Sequence, residues 1–261
     1  MPQPDGALAS GSGLALAGRH WRETAAVALL VLIGWALMFW GALDMMSPQA
    51  RMMMPMSAAW SVANLLAVFA MWAVMMAAMM LPSALPMILT FAQLNRRAGT
   101  RARTGAFIAA YVVIWSGFSV VGTGLQWALQ HWGLTSPMIA TTAPWFTAVL
   151  LLIAGIFQFT PLKTACLRYC RTPMGFLLTD WRDGLNGAWV MGLRHGGYCL
   201  GCCWALMLLL FVGGVMNLLW IAALMALVAA EKLLPRGEIV ARVLGVLLIA
   251  AGGWKLVSGL V

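Results

Sequence analysis

Charge is scarce in this chain. Only 9% of its 261 residues are Asp, Glu, Lys or Arg, and just seven are acidic. A soluble globular domain carries about a quarter charged residues, so there is too little polar surface here to face water. Lipid is the expected solvent. A second absence concerns energy: no G-x-x-x-x-G-K-[ST] phosphate loop and no ATPase domain is visible, so any transport is expected to be passive or coupled to an ion gradient. No A-x-A cleavage site follows the first apolar run, and Arg19 and Arg22 precede it, which reads as an uncleaved anchor helix. No soluble domain, long-period repeat or thioredoxin-like strand pattern is visible.

What is present is apolar. Hydrophobic residues make up 63% of the chain and the mean hydropathy is +0.90. Counted in spans of roughly 20 residues, the apolar segments fall at about 24–43, 59–81, 105–128, 144–161, 196–213, 216–233 and 238–257. The expected fold is all-α, a polytopic transmembrane helix bundle of about seven spans. Six result if the run broken by GGVMN (213–217) is re-entrant or fused. Residues 23–258 form a single transmembrane domain in this reading, after a disordered Gly/Ala/Ser-rich tail at 1–22.

The net charge of +9 does not point to nucleic acid, because the basic residues sit in short gaps between apolar segments. They alternate. Arg19 and Arg22 flank the N-terminus, and the second gap has Arg96, Arg97, Arg101 and Arg103. The fourth has Lys163, Arg168, Arg171, Arg182 and Arg194, and the sixth Lys232, Arg236 and Arg242. The first gap holds only Arg51; the third and fifth hold none. Positive charge collects on the cytoplasmic side, so the N-terminus and the even gaps are expected in the cytoplasm of a bacterial inner membrane.

All five cysteines fall in two short stretches, QFTPLKTACLRYCR (158–171) and HGGYCLGCCWALM (195–207). On a helix, residues three and four apart share a face. His195, Cys199, Cys202 and Cys203 therefore lie within an arc of roughly 100°, with Trp204 pointing the opposite way. Cys166 and Cys170 share a face with Lys163 if the chain stays helical past Pro161. Two helices offering two or three sulfurs each can close a trigonal or tetrahedral site, and thiolates select Cu(I) or Zn(II). The alternative is packing: cysteine is a small apolar residue, and Gly197 with Gly201 makes a GxxxG pair. A disulfide framework is not expected on the reducing side.

Glu231, at the end of the sixth segment, is costly in lipid unless paired or wet. Lys232 and Arg236 are its nearby partners, or else it approaches the cysteines as a ligand or proton acceptor. Methionine is the second compositional outlier, at 20 residues. Met52, Met53, Met54 and Met56 crowd the first gap, and Met76, Met79 and Met80 the second segment. Thioethers there would form a secondary site for Cu(I) or Ag(I) on the outer side, although a methionine stripe also serves packing. Asn64, Gln126 and Gln158 are candidates for hydrogen bonds between helices, and Asn217 for the turn.

The blocks MMAAMMLPS (75–83), QFTPLKTACLRYCR (158–171), GGYCLGCCWALM (196–207) and AAEKLLP (229–235) resemble a family of bacterial integral membrane proteins described as predicted metal-binding and grouped as a domain of unknown function. The resemblance covers roughly residues 24 to 257. It implies that Cys166, Cys170, Cys199, Cys202, Cys203 and Glu231 are the site positions, with Met79, Met80 and Lys163 beside them.

The expected function is binding of a soft transition metal, copper favoured over zinc, near the cytoplasmic membrane face. The ligands would be Cys166, Cys170, Cys199, Cys202, Cys203, His195 and Glu231, supported by Lys163 and Gln158. Metal handling, transport or delivery to a partner protein would follow, and no catalytic set is identified. Two rivals stay open. One is a membrane thiol–disulfide or quinone-linked oxidoreductase using Cys199-Leu-Gly-Cys202, whose spacing lowers a thiol pKa. The other is a structural or assembly subunit in which the cysteines only pack.

Overall fold

The computed structural model describes residues 21–43, 47–55, 59–96, 102–135 and 140–258. Among them every regular element is helical, apart from one isolated bridge between Thr135 and Thr141. In chain order the helices are α1 (Trp21–Leu43), α2 (Pro48–Met53), α3 (Val62–Arg96), α4 (Ala102–His131), α5 (Pro144–Phe157), α6 (Pro161–Arg171), α7 (Pro173–Asp180), α8 (Gly184–Met207), α9 (Leu210–Gly213), α10 (Leu218–Leu233) and α11 (Gly237–Ser258). The all-α polytopic bundle is observed. Residues 1–20 of the expected tail, and Met56, lie outside the described residues.

Of the span counts left open by the sequence, the structure sides with the lower. Among the described residues five helices are long and apolar enough to cross a membrane, or six if α5 and α6 count as one bent span. Two local causes shorten the others. Helix α10 has 16 residues, which is about 24 Å against about 30 Å of hydrocarbon. Helix α5 stops at Phe157, and α6 restarts at Pro161 with an axis bent by 65°. Thr160 caps the restart, its hydroxyl accepting from Lys163 N at 3.2 Å, and Pro161 occupies a first-turn position where no N–H is needed. The chain thus remains helical past Pro161, but in a new direction. Helix α3 behaves oppositely and runs through Pro82 and Pro86 without a break.

Helix α8 is the hub. Its most extensive partner is α4, and it also packs on α6, α5 and α10. Gly192 and Gly196, one turn apart, lie directly against Phe107 and Ile114 of α4, the close approach that small residues permit between membrane helices. After α9 the chain reverses at Gly214, whose φ of 90° is a conformation glycine adopts without strain. Asn217 then caps α10, its side chain accepting from Trp220 N at 3.1 Å, as expected for the turn. Trp220 Nε1 donates to Leu209 O at 2.7 Å, while the far end of α10 reaches Cys199 of α8. Helix α10 therefore runs antiparallel to the second half of α8.

Candidate metal centre

The cysteine face of α8 looks inward. Cys199, Cys202 and Cys203 are 1%, 0% and 0% exposed, and Trp204 turns away to meet the Phe157 ring edge-on at 5.1 Å. Opposite them stands α6, whose one-sided pattern places Cys166, Cys170 and Lys163 on the face towards the bundle. The two helices meet sulfur to sulfur, with Cys170 Sγ 3.9 Å from Cys202 Sγ. Cys170 also lies within side-chain reach of Cys199, and Cys203 within that of Cys199 and Cys202. The thiols of Cys202 and Cys203 point back along their own helix, donating to Cys199 O at 3.1 and 2.9 Å.

Cys166 is set apart. Its sulfur lies over Gly201, 2.7 Å from where a Cβ would stand, so Gly201 is the glycine that lets α6 close on α8. Gly197, its GxxxG companion, faces open space with nothing within 4 Å of a Cβ position. The close-packing motif is thus used at one of its two positions.

Glu231 does not pair with Lys232 or Arg236. Its carboxylate accepts from Lys163 Nζ at 2.5 Å, both side chains 1% exposed. Lys232 turns the other way, donating to Cys199 Sγ at 2.9 Å and to Ser83 Oγ at 3.2 Å. The two lysines read as topogenic loop charges are therefore inside the bundle, whereas Arg168, Arg182, Arg194, Arg236 and Arg242 stay exposed. Tyr111 of α4 completes the surround. Its hydroxyl sits 3.0 Å from Cys199 Sγ and 3.2 Å from Met80 O.

His195 lies one turn from Cys199, its ring among those of Phe107, Tyr111 and Phe176 at 5.6 to 5.9 Å. Its Nδ1 is buried with no hydrogen-bond partner, as is Glu231 Oε1. Gln158 is also buried with both side-chain polar atoms unpartnered, packed against Gly245 of α11. Gln126 makes the expected interhelical bond, accepting from Trp72 Nε1 at 2.7 Å. Asn64 Nδ2 donates to Met52 O, tying α3 to α2 at 3.2 Å. Met76, Met79 and Met80 are fully buried, Met54 nearly so, Met53 half-buried and Met52 exposed.

Among the described residues no three His, Cys, Asp or Glu groups already stand in a metal-coordinating arrangement; the sulfurs instead contact one another, Lys232 and Tyr111. Sequence reasoning missed Lys232, Tyr111 and Ser83 as neighbours of the thiols. Lys232 carried no signal of this, since a lysine at a helix end reads equally well as a charge that reaches the surface.

Compared with known proteins, the chain matches the family model PpoB2, described as a copper chaperone, over residues 69–255. That range holds α4 to α10, all five cysteines, Lys163, Glu231 and Lys232. The chain belongs to the PpoB2 family. Copper handling is thereby its function in outline, and the expectation of a metal-related membrane family is met. The PpoB2 match begins inside α3, so α1 and α2 lie before it. No curated protein and no solved structure matches the chain.

Proposed function

We propose that this chain is a membrane-embedded chaperone that takes Cu(I) as cargo on the thiols shared by α6 and α8 and passes it to a partner protein. The observation that carries this reading is the sulfur pair Cys170–Cys202, 3.9 Å apart and contributed by different helices. Two thiolates about 2.3 Å from one ion, at trigonal or tetrahedral angles, stand roughly 3.8–4.0 Å apart. Cys199 and Cys203 lie within reach of that pair, so a change of side-chain rotamer brings a third sulfur to it. Cys166, His195 and Glu231 stand at the margin of this centre.

The donor set favours Cu(I) over zinc. Sulfur predominates, the carboxylate is already held by Lys163, and the imidazole is walled by aromatic rings. Soft thiolates in an apolar pocket suit a soft monovalent ion. Lys232 adds charge balance, because an ammonium beside Cys199 offsets the negative charge that thiolate ligands bring into the bundle. The distribution of exposed arginines supports an inner-membrane protein with a cytoplasmic N-terminus and the cysteine end of the bundle near the cytoplasmic face.

The test is metal content. Full-length protein purified in detergent under reducing, anaerobic conditions should retain copper at about one ion per chain at the thiols, and the variant carrying Cys199→Ser and Cys202→Ser should lose it. Equal copper at the same affinity in both proteins overturns the site. A redox reading, beside the Cys199-Leu-Gly-Cys202 spacing, is supported by Cys170 and Cys202, whose sulfurs stand 3.9 Å apart on different helices. An intramolecular Cys170–Cys202 disulfide that cycles during turnover, with no bound copper, would establish it.

A further inference from the structure

Away from the cysteines, at the end of the bundle where the α9–α10 turn lies, a cavity of about 370 Å³ opens between α1, α2, α3 and that turn. Five of its sixteen described lining residues are methionine, namely Met38, Met53, Met71, Met75 and Met216. The chain as a whole has 20 in 261, so methionine is about fourfold enriched on this wall. Among the described residues no Asp, Glu, Lys, Arg or His contributes to the lining, and Ser47 supplies the one hydroxyl among them. The five come from four separate segments of chain, so helical periodicity on a single helix does not explain their convergence. Met75 is fully buried, while Met38, Met53, Met71 and Met216 are half-buried, at the boundary between the core and the opening.

We propose that this cavity is a second Cu(I) site, built from thioethers and distinct from the thiol centre. The ligand class follows from the donors. A thioether is neutral and soft, binds Cu(I) or Ag(I), and has little affinity for the harder divalent ions that need carboxylate, imidazole or thiolate. An uncharged wall also asks no buried counter-charge of a monovalent cation beyond its own. Neutral donors bind more weakly than thiolates, so this site holds copper loosely and suits exchange, whereas the cysteines hold it firmly. Helix α3 runs from the cavity towards the thiol centre. Met79 and Met80 follow Met75 by about one turn, and Met80 O accepts from Tyr111, which touches Cys199. Of these methionines, Met71, Met75 and Met216 lie within the PpoB2 match and Met38 and Met53 before it. The inference rests on copper being the cargo, but not on the cysteines being its ligands.

The experiment is an anaerobic Cu(I) titration of the full-length protein in detergent against a graded series of chelators. It compares the wild type, the Cys199→Ser/Cys202→Ser variant, and a variant with Met38, Met53, Met71 and Met216 all replaced by Leu. Leucine preserves volume and apolarity, and thermal unfolding checks that the fold is kept. Two classes of copper are expected in the wild type. The leucine variant should keep the tight class and weaken the loose one at least about tenfold; the cysteine variant should do the reverse. Selenomethionine labelling of the cysteine variant should add a copper–selenium shell to its X-ray absorption spectrum. An unchanged loose class in the leucine variant, a missing copper–selenium shell, or a lipid or quinone co-purifying in the cavity and not displaced by Cu(I) would each overturn the proposal. Loss of the loose class alone, with copper unaffected by the cysteine changes, would leave this site standing and refute the thiol centre.

Discussion

Lys232 Nζ donates to Cys199 Sγ at 2.9 Å, although Lys232 immediately follows the carboxylate that its sequence offers as a partner. Adjacent positions on a helix point about 100° apart. Glu231 is therefore turned to α6 and Lys163, while Lys232 is turned to α8, α3 and the thiols. One helix end serves both a structural ion pair and the sulfur centre.

Removing the Lys232 charge should weaken copper binding. With Lys232→Met the stem is kept and the ammonium lost, and a charge-assisted hydrogen bond is worth about 1.5–3 kcal/mol. Cu(I) affinity at the thiols should fall about tenfold or more, read by chelator competition. An affinity at or above that of the wild type would show that Lys232 competes with the metal instead of balancing its ligands.

The Lys163–Glu231 pair should matter for stability through its completeness. Both groups are buried, so Glu231→Leu strands the Lys163 charge and Lys163→Met strands the carboxylate; each alone should cost about 3–5 kcal/mol, whereas the two combined should recover most of it. Thermal unfolding in detergent of the two single variants and the double variant checks this. A double variant as unstable as the sum of the singles would mean that each residue acts through other contacts.

Gly201 should be intolerant of any side chain. An added Cβ would meet Cys166 Sγ at 2.7 Å, so Gly201→Ala should destabilise by about 1–3 kcal/mol and push α6 from α8, lowering copper retention. Cys166→Ala in the same chain removes the obstacle. It should restore stability with a measurable coupling energy between the two positions, and additivity in that double-mutant cycle would argue against this contact.

The orientation is testable at α2. Arg51 is exposed there, and in the proposed topology it faces outward. A membrane-impermeant thiol reagent applied to intact cells should modify an Arg51→Cys variant. Modification appearing only after lysis would invert the bundle.

The sequence by itself determined the class of the protein. Apolar runs of membrane length require helices, because backbone polar groups in lipid must bond within their own segment. The three- and four-residue spacings determined which cysteines share a face, and α6 and α8 bear this out. Packing and the course of the chain lay outside that reach. The 65° bend after Phe157, the 16-residue length of α10 and the partners of Lys163, Lys232 and Tyr111 were decided only when the helices met. Periodicity states which side chains of one helix point together, but not which neighbour they point at. The same reason hid the methionine cavity, whose lining comes from four segments and has no period to read.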